Sequence, residues 1–141
     1  MTNQLPPNIA EAFAAYDDRT QDQLRACRDL IFQAAADNRE IGILTETLKW
    51  GQPSYLTEES KSGSTVRLAT SSDNRPALFV HCATDLIEQF RTFYPDTFDY
   101  QGKRALVIKS EIGSVKAELR HCIALALTYK LRKKSKVKNK L

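Results

Sequence analysis

The chain has 141 residues, 42% of them hydrophobic and 27% charged, which suits one compact domain. Its three cysteines, Cys27, Cys82 and Cys122, are too few and too far apart for a disulfide framework. No apolar stretch approaches the roughly 18 residues of a membrane span, and the first seven residues lack the features of a signal peptide. We therefore expect a cytoplasmic protein with no membrane contact.

The formal net charge of +4 conceals a division between the body of the chain and its end. Residues 130–141 contain seven basic residues and no acidic ones. The preceding 129 residues hold 14 basic and 17 acidic residues, a net charge of −3. The sequence therefore predicts a single α+β domain over residues 1–129 and a basic, disordered tail over residues 130–141.

Two segments near the N-terminus have apolar residues at helical spacing. The first predicts a short helix from Asn8 to Tyr16, and the second predicts a longer helix from Thr20 to Asp37, with Thr20 as its N-cap. A third, shorter helix is expected from Ile43 to Trp50, because Gly51 and Pro53 follow it as a C-cap and a stop.

After Trp50 the hydrophobic pattern changes to strand periodicity. Four strands are expected, at Ser54–Thr57, Thr65–Ala69, Ala77–Cys82 and Ala105–Lys109. A helix capped by Thr84 precedes the fourth strand, and a last helix begins at Ser114. Short turns between the strands favour an antiparallel sheet, packed with the N-terminal and C-terminal helices. The predicted core comprises Leu30, Ile31, Trp50, Leu78, Val80, Leu106, Ile108, Leu119 and Ile123.

The most distinctive stretch is residues 46–55, with the sequence ETLKWGQPSY. This stretch resembles the E-x-x-K-W-G-x-P-x-Y segment of the YdhG-like domain-of-unknown-function family, and the resemblance extends in pattern from about Thr20 to Thr128. The resemblance implies a helix, this segment, an antiparallel sheet and a closing helix. One branch of the family is described as frataxin-like intracellular iron chaperones, so the resemblance also implies iron as a candidate cargo.

The residues of this stretch support two interpretations by themselves. In the first, a helix-to-strand corner is locked by Trp50 as a packing anchor, with Glu46 and Lys49 paired on one helical turn. In the second, the corner is a shallow ligand pocket. Its walls would be Trp50 and Tyr55, and its polar contacts would come from Lys49 and Gln52.

Two further sites are candidates for binding. Asp17, Asp18 and Asp22 are oxygen ligands of the kind that would hold iron loosely, or else a solvated helix start. The tail cations, including Lys133, Lys134 and Lys136, would attract nucleic acid electrostatically, although aromatic residues do not interleave with them after Tyr129.

The sequence contains neither a phosphate-binding glycine loop nor a GxSxG nucleophile motif, so it assigns no catalytic residue and no organic cofactor. We expect a non-catalytic binding protein that engages a small ligand or a protein near the Lys49–Tyr55 corner. The alternatives are an iron chaperone and a nucleic-acid accessory protein that uses the basic tail.

Overall fold

The structure, a computed structural model, describes residues 4–139, with side chains described from Gln4 to Ser135. The helices within this range are α1 (Pro7–Ala14), α2 (Asp18–Asp37), α3 (Leu86–Phe93), α4 (Lys116–Leu127) and α5 (Tyr129–Asn139), with a short 3₁₀ helix at Ile112–Ser114. The strands are β1 (Thr45–Lys49), β2 (Gln52–Leu56), β3 (Val66–Thr70), β4 (Pro76–Phe79), β5 (Asp99–Gln101) and β6 (Ala105–Val107).

All strand pairs in the sheet are antiparallel, and the strand order is β1-β2-β3-β4-β6-β5. The predicted α+β class, with helices packed on an antiparallel sheet, is confirmed. The four expected strands correspond to β2, β3, β4 and β6, with bounds that differ by a few residues. The sheet is wider than expected because β1 and β5 add one strand at each edge.

The prediction of a helix from Ile43 to Trp50 is wrong, because Thr45–Lys49 forms β1 and pairs residue by residue with β2. Thr45, Thr47 and Lys49 alternate with Glu46 and Leu48, which is the periodicity of a strand. The predicted pairing of Glu46 with Lys49 is also wrong, since strand alternation places the two side chains on opposite faces of the sheet.

The main core lies between the helices and one face of the sheet. Tyr55, Val66, Leu68, Leu78 and Leu106 supply the sheet side of this core, and buried apolar residues of α1, α2, α3 and α4 pack against them. Eight of the nine predicted core residues are buried. The ninth, Trp50, is 90% exposed, so its assignment to the core is wrong.

The opposite sheet face carries a second, smaller apolar cluster that contains strand residues alone: Ala77, Ala105 and Val107, with Phe79 packed against them. The strand register places further side chains on the same face. We call it the open face and define it by Ser54, Arg67, Ala69, Ala77, Phe79, Ala105 and Val107. Arg67 and Phe79 are partly exposed on this face, and the other five residues are buried beside them.

The loop between β2 and β3 is hydrogen-bonded to the C-terminal helices. Ser62 Oγ donates a hydrogen bond to the Leu127 carbonyl at 2.7 Å, and the Ser64 amide donates to the Ala126 carbonyl at 2.8 Å. A Cβ on Gly63 would lie 2.2 Å from the carbonyl carbon of Leu127, so only glycine allows this approach. The loop therefore satisfies carbonyl groups that the end of α4 leaves unpaired.

The backbone of the tail differs from the predicted disordered end, because Tyr129–Asn139 forms α5. The Leu131 amide donates to the Ser62 carbonyl at 3.0 Å, and Arg132 Nη2 donates to the Leu125 carbonyl. Through these contacts the first turns of α5 are hydrogen-bonded to the loop and to α4. The sequence pattern alone does not show such tertiary hydrogen bonds.

Candidate functional site

The hairpin formed by β1 and β2 is anchored to α2 by a buried ion pair. Arg28 of α2 donates two hydrogen bonds to the Glu46 carboxylate, from Nε at 2.6 Å and from Nη2 at 2.8 Å. The side chains of Arg28 and Glu46 are 4% and 9% exposed. The hydrogen bond to Glu46 is the main cause that raises the pKa of Arg28. Two parallel bonds fix the orientation of the hairpin as well as its position.

Tyr55 lies beside this pair, since it is the cross-strand partner of Glu46. Its ring meets the Phe32 ring edge-on at 5.8 Å, and the Arg28 guanidinium lies 4.8 Å from the Phe32 centroid. The Tyr55 hydroxyl is buried and has no hydrogen-bond partner of regular geometry among the described residues. Burial first, and the negative charge of Glu46 second, raise the pKa of Tyr55 above its ordinary value. Tyr55 is therefore a core residue of the hairpin root.

The other end of the hairpin is a tight turn of two residues. Lys49 pairs with Gln52, and the residues between them, Trp50 and Gly51, have φ values of 57° and 72°. Positive φ at both central positions is the geometry of a type I′ turn, which Asn-Gly and Gly-Gly adopt most readily. Gly51 tolerates this conformation, but a bulky side chain such as that of Trp50 is strained there.

The structure separates the four residues of the predicted ligand corner. Trp50 and Lys49 are exposed at the tip, whereas Tyr55 is buried at the root. The Gln52 carboxamide accepts a hydrogen bond from Arg67 Nη1 at 2.7 Å. Trp50 and Tyr55 therefore do not form two walls of one cleft, and the tip is convex rather than concave. Two depressions of about 470 Å³ lie elsewhere, one beside Cys82 and Arg91 and the other beside Arg75 and Lys109.

The three aspartates proposed for iron lie around the start of α2. Asp17 is the N-cap, in place of the predicted Thr20, and its Oδ1 accepts a hydrogen bond from the Thr20 amide at 2.8 Å. This backbone hydrogen bond is the main cause that lowers the pKa of Asp17. Asp18 and Asp22 are exposed. No three His, Cys, Asp or Glu side chains converge as a metal site within the described part of the chain. Iron binding remains a prediction.

The basic residues of the tail from Lys130 to Lys138 lie on α5. Lys133 and Lys134 are exposed, and the Lys133 amino group lies 5.9 Å from the centroid of the Tyr129 ring. The side chain of Lys136 lies outside the described residues. Nucleic-acid binding by the tail remains a prediction.

Sequence reasoning missed Arg28, although a signal was present. Arg28 falls on the apolar stripe of α2, next to Cys27 and one turn from Leu24 and Ile31. A cation on an apolar stripe indicates a buried partner of opposite charge, because an unpaired buried charge is strongly unfavourable.

None of the helices described between residues 4 and 139 is long and apolar enough to cross a membrane. A scan against protein-family models, a search of curated proteins and a search of solved structures each returned no match. The resemblance to the YdhG-like family therefore remains a prediction, and the function is argued from the site itself.

Proposed function

We propose that this protein is a non-catalytic binding protein that engages its partner through the tip of the β1–β2 hairpin, with Lys49 and Trp50 as contact residues. One observation carries the proposal: Trp50 is 90% exposed and holds a φ of 57° in the turn.

Neither the exposure of the Trp50 side chain nor its positive φ stabilises the fold. A large aromatic side chain is normally buried at least in part, because its burial is strongly favourable. A left-handed conformation at a non-glycine residue costs about 1–2 kcal/mol relative to glycine. An asparagine would suit the turn better and would expose no apolar surface. Strain and exposure at one residue are typical of a contact residue that the fold holds ready for a partner.

The shape of the tip favours a macromolecular partner over a small ligand. Small-molecule sites are concave and surround most of the ligand surface. Trp50 instead projects from a two-residue turn, and a Cβ on the neighbouring Gly51 would meet no atom within 4 Å. A protruding tryptophan is suited to insertion into a recess or to stacking on a flat group, and tryptophan is enriched among dominant contact residues.

The test is affinity capture with the full chain, comparing wild type, Trp50→Asn and Ile43→Asn. Ile43 is the matched control, because it is 69% exposed and lies outside the hairpin. Co-purified proteins and nucleic acids are identified, and each candidate is then purified and titrated against the three proteins. We expect Trp50→Asn to weaken binding about tenfold or more and Ile43→Asn to leave it unchanged.

The proposal is overturned if the partners of wild type bind Trp50→Asn with equal affinity. It is also overturned if Ile43→Asn loses binding to the same extent, since loss of any exposed apolar side chain would then have the same effect.

A further inference from the structure

The hairpin tip and the open face form one continuous surface. Lys49 is paired with Gln52 at the base of the turn, and the Gln52 carboxamide is bonded to Arg67. The Arg67 guanidinium in turn lies 5.6 Å from the centroid of the Phe79 ring. A row of neighbouring residues therefore leads from the tip across β2, β3 and β4, which spans about 10 Å at the usual strand spacing.

The cation at the centre of this row has no acidic partner. Arg75 and Lys109, at the β5 side of the sheet, both pair with Asp99, at 2.6 Å and 3.4 Å. Arg67 contacts only an amide and an aromatic ring, and no carboxylate lies within ion-pair distance of it among residues 4–135. Burial first, and the positive charge of Arg104 second, lower the pKa of Arg67. A partly buried guanidinium group with no carboxylate partner in the described residues favours an anion.

The row also alternates cations with aromatic rings. Lys49 is followed by Trp50 at the tip, and Arg67 is followed by Phe79 on the open face. Phe79 is itself partly exposed, and its neighbours Ala77 and Ala105 on the same face have small side chains that do not cover its ring. Phosphates and bases arranged along a strand require this combination of cations and stacking platforms.

We propose that the tip and the open face together bind single-stranded nucleic acid. Lys49 and Arg67 contact phosphates, and Trp50 and Phe79 stack on bases. The proposal rests on the proposed function of the Trp50 tip and names the class of its partner. It places the nucleic acid on the sheet rather than on α5. The charge of residues 1–129 sums to −3, so these cations form a local positive surface on a body whose net charge is negative.

The test is fluorescence anisotropy with the full chain and labelled oligothymidylate or oligouridylate of about 20 nucleotides, with a duplex of equal length for comparison. Titrations at about 50 mM and about 200 mM salt give the salt dependence. The variants are Arg67→Gln, Trp50→Asn and, as a matched loss of charge on α5, the double variant Lys133→Gln/Lys134→Gln. Circular dichroism confirms that each variant is folded.

We expect Arg67→Gln and Trp50→Asn each to weaken single-strand binding about tenfold. Arg67→Gln also reduces the slope of log affinity against log salt by about one. Lys133→Gln/Lys134→Gln retains an affinity within about twofold of wild type at the same salt. Arg67→Lys, which keeps the charge, retains more affinity than Arg67→Gln.

Three results overturn the proposal. If wild type does not bind either single strand, the inferred partner class is wrong, while the Trp50 tip survives as a protein contact provided that captured proteins still require Trp50. If the double α5 variant loses binding and Arg67→Gln keeps it, the tail is the nucleic-acid site and the open face is not. Preference for the duplex contradicts stacking on exposed bases.

Discussion

The two ends of the β1–β2 hairpin differ in burial, in side-chain pairing and in backbone strain. At the root, Glu46 and Tyr55 are paired across the strands, and Arg28 joins Glu46 through two short hydrogen bonds in a buried setting. At the tip, Trp50 has a strained φ and a 90% exposed side chain. Only four residues lie between Trp50 and Tyr55, so this difference develops within one short element.

The comparison shows that one distinctive sequence block need not describe one site. The root residues serve the fold, because removing any of them disturbs packing or leaves a charge unpaired. Trp50 at the tip does not stabilise the fold, because an asparagine would suit the turn better, so we infer that its role is in binding. A rigid root gives an exposed aromatic residue a fixed direction, which lowers the entropy lost on binding.

The largest effect is expected at the root. Glu46→Gln removes the negative charge while Arg28 stays buried and positive, and it should lower the free energy of unfolding by about 3–5 kcal/mol. Urea denaturation at neutral pH measures this change. Glu58→Gln, in the exposed loop after β2, is the matched control and should change stability by less than about 0.5 kcal/mol. A loss below about 1 kcal/mol for Glu46→Gln would show that the pair does not anchor the hairpin.

An intermediate effect is expected from Tyr55→Phe at alkaline pH. Folding raises the pKa of Tyr55 above its ordinary value of 10.0, so above pH 10 the unfolded chain releases the phenol proton and the folded chain retains it. This difference favours unfolding, and wild type should lose about 1.4 kcal/mol per pH unit from this group. Tyr55→Phe should lose less over the same range, because it has no phenol proton to release.

Urea denaturation of both proteins between pH 7 and pH 11 provides the comparison. Tyr129→Phe, which removes a hydroxyl on α5, is run alongside as the matched control. Equal alkaline slopes for wild type and Tyr55→Phe would mean that Tyr55 ionises in the folded protein, and the root would then be open to water.

The smallest effect is expected at the tip and has the opposite sign. Trp50→Asn creates an Asn-Gly turn and should raise the free energy of unfolding by about 1 kcal/mol. For a chain of this length the thermal midpoint should rise by about 3 °C. Differential scanning calorimetry measures the shift. A lower midpoint would indicate that Trp50 stabilises the fold, and its exposure would then not mark a binding surface.

Much of the fold could be predicted from the sequence, and β1 shows where the prediction failed. Thr45–Lys49 carries both a helical pattern, through Leu44 and Leu48, and an alternating pattern, through its threonines. The segment becomes a strand because it pairs with β2, and the local periodicity of the sequence does not reveal that pairing. β5 was missed for the same reason, because Asp99–Gln101 has no apolar pattern and becomes a strand through its partner β6.

The site was predicted less well than the fold. The block of residues 46–55 was identified, but the helical interpretation placed Trp50 in the core and Glu46 beside Lys49. Arg67 and Phe79 were not singled out, because each is ordinary in sequence. They become a candidate site only when the register of β3 and β4 sets them side by side.

The Ser62–Ser64 loop has a consequence for protein engineering. A short segment rich in serine and glycine is normally chosen as a place where an inserted tag or domain does no harm. Here the segment closes the end of α4 and supports the first turn of α5, across 65 residues of sequence in the case of Ser62 and Leu127. An insertion at Gly63 would release both helices, so fusions belong at the turn around Asn74, whose side chain is exposed and which connects strands that pair directly with each other.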